Sequence, residues 1–296
     1  MMGSGTWTST SYVNHSTVSR GYSNMDDFYN ASAQELYRSE QLNEVLNPKG
    51  IMRECVDSDE HPETIPVILA LDVTGSMGSA AEAVAKQLND IMTELYKSVK
   101  DVEFCIMAIG DLSYDDAPIQ MGQFESDIRI AEQLEKVYFE RGGGGNAWES
   151  YTAAWYMGLN HTKLDCWNRG KKGIIITMGD EPMNPYLPML PLARVTGDNI
   201  QGDIDTKSLY EAVTKKFDVY HIGINNLATS FRFYEDKIKE SFGKLLGQNY
   251  QISTCQNLHK TIADMIKKST SSSIEYVSSD VEHRDTVISD EDGISW

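Results

Sequence analysis

The chain contains no apolar run long enough to cross a bilayer, and its polar start, Met1 to Ser4, lacks a signal-peptide core. Basic residues are few, because 26 Lys and Arg stand against 44 Asp and Glu, which gives a net charge of −18. Nucleic acids and anionic lipids both bind to basic surfaces. The composition therefore predicts no nucleic-acid partner and no membrane association.

Cysteine is scarce as well, with four residues that form no Cys-x-x-Cys pair: Cys55, Cys105, Cys166 and Cys255. Cys105 lies within a predicted buried strand. Widely separated thiols of this kind favour reduced cysteines in a cytosolic protein over a disulfide framework. We therefore expect a cytoplasmic location.

The pattern along the 296 residues indicates three regions and no internal repeat. Residues 1–62 form an N-terminal arm, whose first 24 residues are rich in Ser, Thr, Gly and Tyr and whose residues 26–46 predict one amphipathic helix. Residues 63–268 form the main domain. Residues 269–296 turn Ser-rich and then acidic, which predicts a flexible, solvated acidic tail.

Apolar strands and amphipathic helices alternate through the main domain. The predicted strands lie near residues 65–72, 102–110, 172–178, 218–224 and 249–253. The predicted helices lie near residues 78–99, 126–138, 148–161, 206–217, 232–246 and 255–268. This alternation indicates an α/β fold with a doubly wound, mainly parallel, Rossmann-like sheet flanked by helices. Such open sheets bind ligands beyond the carboxyl ends of their strands, where the strand order reverses.

The first of these strands ends in an acid that two hydroxyl residues follow. Its apolar residues lead into Asp72-Val73-Thr74-Gly75-Ser76. A buried carboxylate without a partner is costly, and capping of the next helix by Thr74 or Ser76 does not account for it. Carboxylate and hydroxyl oxygens suit Mg²⁺ or Mn²⁺. The segment therefore predicts a divalent-cation site.

This segment resembles the metal-ion-dependent adhesion site (MIDAS) of the von Willebrand factor A (vWA) domain, whose core is Asp-x-Ser-x-Ser. Thr74 keeps a hydroxyl in place of the first serine. The resemblance covers residues 64–268 and implies the vWA fold. The layout, with Asp-Glu-His-Pro before the first strand and Gly-Asp-Glu-Pro after the fourth, is similar to stand-alone intracellular bacterial and phage members of the family.

A second apolar strand also leads to an acid, Asp180. In the vWA family the corresponding strand carries a Thr-Asp-Gly signature whose aspartate approaches the metal directly or through water. Here the sequence is Thr-Met-Gly-Asp-Glu-Pro, in which the acid comes later. The resemblance places Asp180 in the site and leaves Glu181 as an alternative.

The third loop of the expected site is glycine-rich, because residues 142–145 are all glycine and can pass close to a ligand. Most vWA members place a threonine in this loop, whereas Asn-x-x-Glu resembles integrin β subunits and some bacterial relatives, in which a glutamate joins the metal shell. By this resemblance Glu149 is a metal ligand, direct or through water, with Asn146 and Ser150 as helpers. The alternative is a flexible loop with Glu149 in the first turn of the next helix.

Other polar and aromatic residues near these segments are less specific. Asp111, Asp115 and Asp116 follow the second strand and are either solvated loop acids, the rim of the same face or a second cation site. His61 is interpreted as a surface hydrogen-bond partner. Three aromatic residues at helical spacing are interpreted as core packing: Tyr151, Trp155 and Tyr156.

The resemblance implies binding and no catalysis. In vWA domains the cation keeps an open position, which an Asp or Glu carboxylate of a partner protein completes. Intracellular members mostly act as assembly or scaffold modules, often alongside an ATPase; this chain has no Gly-x-x-x-x-Gly-Lys-Ser/Thr loop, so that ATPase would be a separate protein. We therefore expect a metal-dependent protein-binding module that takes Mg²⁺, or alternatively Mn²⁺ or Ca²⁺.

An enzyme of the haloacid-dehalogenase type is the alternative. Residues 72–76 also resemble the Asp-Lys-Thr-Gly-Thr phosphorylation motif of P-type ATPases, in which the aspartate, here Asp72, is a nucleophile that forms an acyl phosphate. Val73 stands where those pumps have lysine. The candidates for a phosphate-holding lysine, Lys171 and Lys172, lie at the start of a strand, away from its carboxyl end. The binding module is therefore favoured over the phosphatase.

Overall fold

The computed structural model describes residues 5–140, 148–226 and 229–282. The strands within these residues are β1 Arg53–Cys55, β2 Ile65–Asp72, β3 Val102–Ile109, β4 Ile119–Glu125, β5 Thr162–Leu164, β6 Gly173–Gly179, β7 Tyr186–Leu187, β8 Ile204–Asp205, β9 Phe217–Ile224 and β10 Tyr250–Ser253. The α-helices are α1 Ser9–Asn14, α2 Met25–Asn30, α3 Ala33–Leu36, α4 Gly78–Leu95, α5 Arg129–Glu135, α6 Ala153–Asn160, α7 Met189–Thr196, α8 Thr206–Val213, α9 Phe231–Leu246 and α10 Leu258–Glu282.

Six strands form the central sheet in the order β10-β9-β6-β2-β3-β4. All neighbouring pairs are parallel except β3 and β4, which are antiparallel. The register aligns Asp72 with Ile109, and Leu71 with Met178, so the carboxyl ends of β2, β3 and β6 meet at one edge. The predicted α/β architecture with a mainly parallel sheet is therefore confirmed.

The middle strand β2 is buried on both faces, as its unbroken apolar sequence predicts. Val67, Leu69 and Leu71 belong to the core that includes α4 and α10, whereas Ile68 and Ala70 belong to the core that includes α6 and α9. Helices therefore cover both faces of the sheet. This placement holds the end of β2 rigidly at the middle of the edge.

Strand β4 was not among the predicted strands. Its sequence, IQMGQFE, contains polar residues that are nevertheless buried, and a bulge in β3 between Cys105 and Met107 adjusts the pairing. The Gln120 side chain is satisfied in the interior because it donates to the Tyr138 carbonyl and accepts from the Tyr138 N–H. Because its buried polar residues are hydrogen-bonded, this edge strand has no continuous apolar run by which the sequence could indicate it. Helix α7 was also not predicted.

The single helix predicted for residues 26–46 is wrong. The structure has α2, α3 and a 3₁₀ turn at Glu44–Leu46 instead. Asn24 and Asn43 each accept a backbone N–H on a side-chain oxygen, and the Ser32 N–H and hydroxyl both donate to the Glu35 carboxylate. A new element starts at each of these positions, which divides the segment into short turns.

The segment of residues 5–46 packs against α4. Phe28 and Leu36 are buried in the same core as that helix. The Tyr12 hydroxyl donates to the Ala85 carbonyl at 2.9 Å, and the Tyr37 hydroxyl donates to the Ala81 carbonyl at 2.7 Å.

The predicted tail begins inside a helix, because α10 continues past residue 269 to Glu282. No glycine or proline occurs between Cys255 and Asp292, so the sequence offers no strong stop signal. The acidic residues 283–296 lie outside the described residues. None of the helices within the described ranges combines the length and apolar character that a bilayer crossing requires.

Candidate metal centre

Asp72 is the last residue of β2 and is fully buried. Its Oδ1 accepts hydrogen bonds from the Thr74 N–H at 2.9 Å and from the Thr74 hydroxyl at 2.6 Å. Its Oδ2 accepts from the Tyr151 hydroxyl at 2.7 Å. After Thr74 the chain enters a 3₁₀ turn, Gly75–Met77, and then α4. Asp72 and Thr74, the first acid and the first hydroxyl residue of the motif, are therefore joined by hydrogen bonds.

Asp180 follows the end of β6 and is also fully buried. One carboxylate oxygen, Oδ2, accepts from the Ser230 backbone N–H at the start of α9. The Ser76 side chain lies close enough to the same carboxyl group to lower its pKa. Its other oxygen, Oδ1, is buried without a hydrogen-bond partner in the described structure. The turn after β2 and the end of β6 thus converge through Ser76 and Asp180.

Glu149 lies beside this pair and is 4 % exposed. It forms an isolated parallel bridge with Met183, which brings the segment before α6 against the loop after β6. The carboxylate oxygen Oε2 has no hydrogen-bond partner among the described residues. The neighbouring Ser150 hydroxyl accepts from the Leu112 N–H and so ties the loop after β3 to this segment. Asn146, the other predicted helper, lies outside the described residues.

Burial, together with the charge of neighbouring carboxyl groups, raises the pKa values at this edge. Burial and then the charge of Asp180 raise the pKa of Asp72 to about 8, although hydrogen bonds from Thr74 and Tyr151 oppose the shift. Burial and then the charge of Asp72 raise the pKa of Glu149 to about 11. Burial raises the pKa of Asp180 and, with the charge of Asp180, that of Glu181 to about 7. Ionising the whole group at neutral pH therefore needs a compensating positive charge.

The donor set fits a hard divalent cation by its chemistry. Two buried carboxyl groups and the hydroxyls of Thr74 and Ser76 are all oxygen donors of the kind that Mg²⁺ prefers. Two buried oxygens, Asp180 Oδ1 and Glu149 Oε2, lack a hydrogen-bond partner in the described structure. Within the described ranges, however, no three His, Cys, Asp or Glu side chains are grouped closely enough to hold a metal ion by themselves. A cation here therefore requires the hydroxyls as ligands.

Solvent reaches the edge beside the motif, since Gly75 is exposed and Ser76 is half-buried. The acids after β3 lie next to the same group: the charges of Asp111 and Asp115 both contribute to the raised pKa values of Glu149 and Glu181. The Asp111 N–H donates to Asp115 Oδ2 at 2.6 Å, which closes the turn. Asp111 and Asp115 therefore lie near the carboxyl groups of this edge.

Tyr151 is the contact that the sequence did not predict. Its hydroxyl donates to Asp72 and lies 3.3 Å from the Glu181 N–H, which donates to it. No pattern in the sequence indicates this contact, and it explains Gly179, because a Cβ atom at that position would lie 1.9 Å from the Tyr151 hydroxyl oxygen. Helical spacing alone indicates only core packing, which holds for Trp155 and Tyr156, both buried.

Three other candidate residues lie away from this edge. His61 is buried instead of exposed, and its ring contacts Asp101 and the Gly5 carbonyl near the start of β2. Lys171 and Lys172 precede β6, at the opposite end of the strand from Asp180, and Lys172 pairs with Asp218 at 3.6 Å.

No family model and no curated protein sequence matches the chain. Among solved structures, the pilus adhesin SpaC from Lactobacillus rhamnosus GG in its open conformation aligns with a TM-score of 0.45 and 14 % identity, over 75 % of this chain and 31 % of the adhesin. A second form of that adhesin aligns with a TM-score of 0.47 and 15 % identity, over 75 % of this chain and 32 % of the adhesin. Proximal thread matrix protein 1 from the mussel byssus aligns with a TM-score of 0.42 and 12 % identity, over 69 % of this chain and 47 % of the matrix protein. The chain thus spans less than half the length of each.

Proposed function

We propose that this chain is a metal-dependent protein-binding or assembly module of the vWA type. A divalent cation, Mg²⁺ or alternatively Mn²⁺ or Ca²⁺, would be held by five residues at the carboxyl edge of the sheet: Asp72, Thr74, Ser76, Glu149 and Asp180. The observation that carries the proposal is the convergence of two fully buried carboxyl groups, Asp72 and Asp180, with the Ser76 side chain beside the second.

Each residue has a distinct role in this proposal. Asp72 and Asp180 supply the negative charge that a buried cation needs, and the neutral hydroxyls of Thr74 and Ser76 add oxygen donors without reducing the cation's charge. The bound cation would supply a Lewis-acidic centre that accepts one more oxygen ligand. An Asp or Glu carboxylate of a protein partner fits that position by charge. Glu149, from the segment before α6, would approach directly or through water.

The remaining features are consistent with an intracellular assembly role. The chain lacks a nucleotide-binding Gly-x-x-x-x-Gly-Lys-Ser/Thr loop, so that an ATPase working with it would be a separate protein. Its four cysteines are unpaired and buried, which suits the reducing cytoplasm. The net charge of −18 disfavours nucleic-acid and membrane partners.

Cation binding is the first test. We expect titration calorimetry of the full chain with Mg²⁺, Mn²⁺ and Ca²⁺ to give one site, and Asp72→Asn to abolish it. The matched control is Asp218→Asn, which removes a carboxylate near the opposite edge, beside Lys172 and Ser269. Binding that persists in Asp72→Asn would refute the assignment of the site.

The binding role is tested by capture from the native host with and without EDTA. We expect a protein partner to be retained only with divalent cation and only by chains that keep Asp72. A generic aryl phosphate separates this proposal from the phosphatase alternative. Hydrolysis that depends on Asp72 would favour the enzyme, whereas we expect none.

A further inference from the structure

We propose that Tyr151 is a positioning residue of this site, whose hydroxyl fixes the Asp72 carboxylate and thereby makes the site selective for a small cation, Mg²⁺, over Ca²⁺. The inference rests on the proposed function, because it concerns the same cation. It goes further by assigning a residue outside the motif and a basis for choosing between cations.

The first observation is that the Tyr151 hydroxyl joins two strand ends. It donates to Asp72 Oδ2 at 2.7 Å, at the end of β2, and accepts from the Glu181 N–H at 3.3 Å, just past the end of β6. A phenol can donate one hydrogen bond and accept another, so both contacts can form together. The hydroxyl therefore sets the position of Asp72 relative to the loop that carries Asp180.

The second observation is that the Tyr151 ring is itself fixed. It is fully buried and meets His221 and Phe242 edge-on, at centroid distances of 5.1 and 5.6 Å. His221 stacks on Phe242 with centroids 3.5 Å apart, and its Nδ1 lies 2.8 Å from the Thr177 hydroxyl. The Tyr151 ring is therefore held in place by packing against His221 of β9 and Phe242 of α9.

The third observation is the space that β6 leaves for the hydroxyl. At Gly179 a Cβ atom would lie 1.9 Å from the Tyr151 oxygen and 2.3 Å from its Cζ. Only glycine at this position lets the phenol reach Asp72. The position of the Tyr151 hydroxyl therefore depends on the absence of a side chain at Gly179.

These contacts leave Asp72 little freedom to rotate. Thr74 provides two donors to Oδ1 and Tyr151 provides one to Oδ2. Mg²⁺ demands near-ideal octahedral ligands at about 2.1 Å, whereas Ca²⁺ accepts flexible, longer coordination. A rigid carboxylate consequently favours the smaller ion, and loosening it should weaken Mg²⁺ binding more than Ca²⁺ binding.

The experiment is titration calorimetry of the full chain and Tyr151→Phe with Mg²⁺ and with Ca²⁺. Loss of a hydrogen-bond partner that orients a metal ligand typically costs 10–100-fold in affinity. We expect Mg²⁺ affinity to fall about 10-fold or more and Ca²⁺ affinity to fall by less, so that the ratio of the two dissociation constants changes.

The matched control is Tyr156→Phe. This change also removes a hydrogen bond from a tyrosine hydroxyl to an aspartate, in this case Asp198 Oδ2 at 2.5 Å, but it lies away from the site. We expect it to leave both affinities unchanged. A general loss of packing would instead affect both variants and both ions alike.

A second variant, Phe242→Leu, keeps the hydroxyl and loosens the ring support, and decides the matter if Tyr151→Phe does not fold. We expect it to shift the ratio in the same direction by a smaller factor. If Tyr151→Phe binds Mg²⁺ and Ca²⁺ with the affinities of the unmodified chain, Tyr151 does not have this role, and the proposed function is unaffected. The same conclusion holds for Phe242→Leu if Tyr151→Phe does not fold. If the unmodified chain binds no divalent cation, both proposals are wrong.

Discussion

At the scale of single residues, the site is a group of carboxyl groups that share buried space. Asp72 and Asp180 are fully buried, and the pKa of Glu149 is raised to about 11. Such groups keep their protons in the folded chain at pH values where the unfolded chain has lost them. Proton binding, cation binding and folding are therefore linked at this site.

Asp72→Asn should stabilise the chain in the absence of divalent cation. The pKa of Asp72 is raised to about 8, so that at pH 8 the folded chain has to bear part of the cost of a buried charge that asparagine lacks. We expect a gain of roughly 5 kcal/mol at most in the free energy of unfolding in EDTA, since the pKa is raised by about four units and one unit corresponds to about 1.4 kcal/mol. Urea denaturation measures it.

The same variant should lose its response to cation. In the unmodified chain Mg²⁺ at about 100 times its dissociation constant adds roughly 2.7 kcal/mol, whereas Asp72→Asn should gain nothing. A variant that is destabilised in EDTA and still responds to Mg²⁺ would contradict both parts of this expectation.

The pH dependence has a definite sign. For an acid with a raised pKa, the unfolding free energy is highest below the unfolded pKa of about 4 and falls as pH rises from there to the folded pKa, because the unfolded chain has then lost a proton that the folded chain keeps. Since the pKa of Asp72 is raised to about 8 and that of Glu149 to about 11, the unfolding free energy in EDTA should fall between pH 7 and pH 8 by about 2 kcal/mol.

Saturating Mg²⁺ should remove most of this dependence, because the cation takes the place of the protons. Unfolding curves at pH 7.0, 7.5 and 8.0 with and without cation measure the difference. A flat profile in EDTA would show that these carboxyl groups are not protonated in the folded chain.

The sequence was informative about site residues that end an apolar strand and silent about those that support them. Asp72 and Asp180 stand out because a strand buried on both faces ends in a charge. Tyr151 does not, because its hydroxyl reaches Asp72 only when the segment before α6 folds across the end of β6. Gly179 is explained only by the same long-range contact.

At the scale of secondary-structure elements, β6 and α9 show how local glycine positions differ. Gly179 faces the Tyr151 ring, whereas Gly243 in α9 has no atom within 4 Å of the position that a Cβ would take. Adding the same methyl group at the two positions should therefore have opposite effects.

We expect Gly179→Ala to cost about 3 kcal/mol of stability, because overpacking a rigid interior forces side chains and backbone to move. Gly243→Ala should instead add about 0.8 kcal/mol, the difference in helix propensity. Urea denaturation of the two variants beside the unmodified chain measures both. Equal effects at the two positions would mean that Tyr151 does not pack against β6 as described.

Elements with apolar runs could be predicted from the sequence. Elements whose polar side chains depend on hydrogen bonds could not. Strands β2, β3, β6, β9 and β10 lie within one residue of their predicted bounds. Strand β4 was missed because its buried Gln120 relies on the Tyr138 backbone, a partner that no periodicity reveals. The division of residues 26–46 into short turns likewise depends on side-chain caps.

At the scale of the whole molecule, the N-terminal segment and the sheet share one core. Phe28 is 2 % exposed and belongs to the apolar cluster that contains β2 and α4. Its ring lies edge-on to Tyr12 with centroids 6.0 Å apart, and the Tyr12 hydroxyl donates to the α4 backbone. This contact predicts that the segment unfolds together with the sheet.

Phe28→Ala should therefore destabilise the chain by about 3 to 5 kcal/mol in a single cooperative transition, as large-to-small changes in a core do. The control Val18→Ala, at a side chain that is 79 % exposed, should change stability by less than about 0.5 kcal/mol. Circular dichroism and tyrosine fluorescence follow the unfolding. A small early transition in Phe28→Ala, with the sheet unaffected, would show that the segment is independent.

The order of strands in the sheet has a consequence for synthesis on the ribosome. Strand β2 pairs with β3 soon after it emerges, but its other edge waits for β6, since Val67 pairs with Ile174. During that interval a strand that is apolar up to its final Asp72 has one edge without backbone hydrogen bonds, which is a template for association between nascent chains. Slow translation between β2 and β6 would lengthen the time for which this edge is exposed. A chaperone that binds extended apolar segments would reduce association between nascent chains during that time.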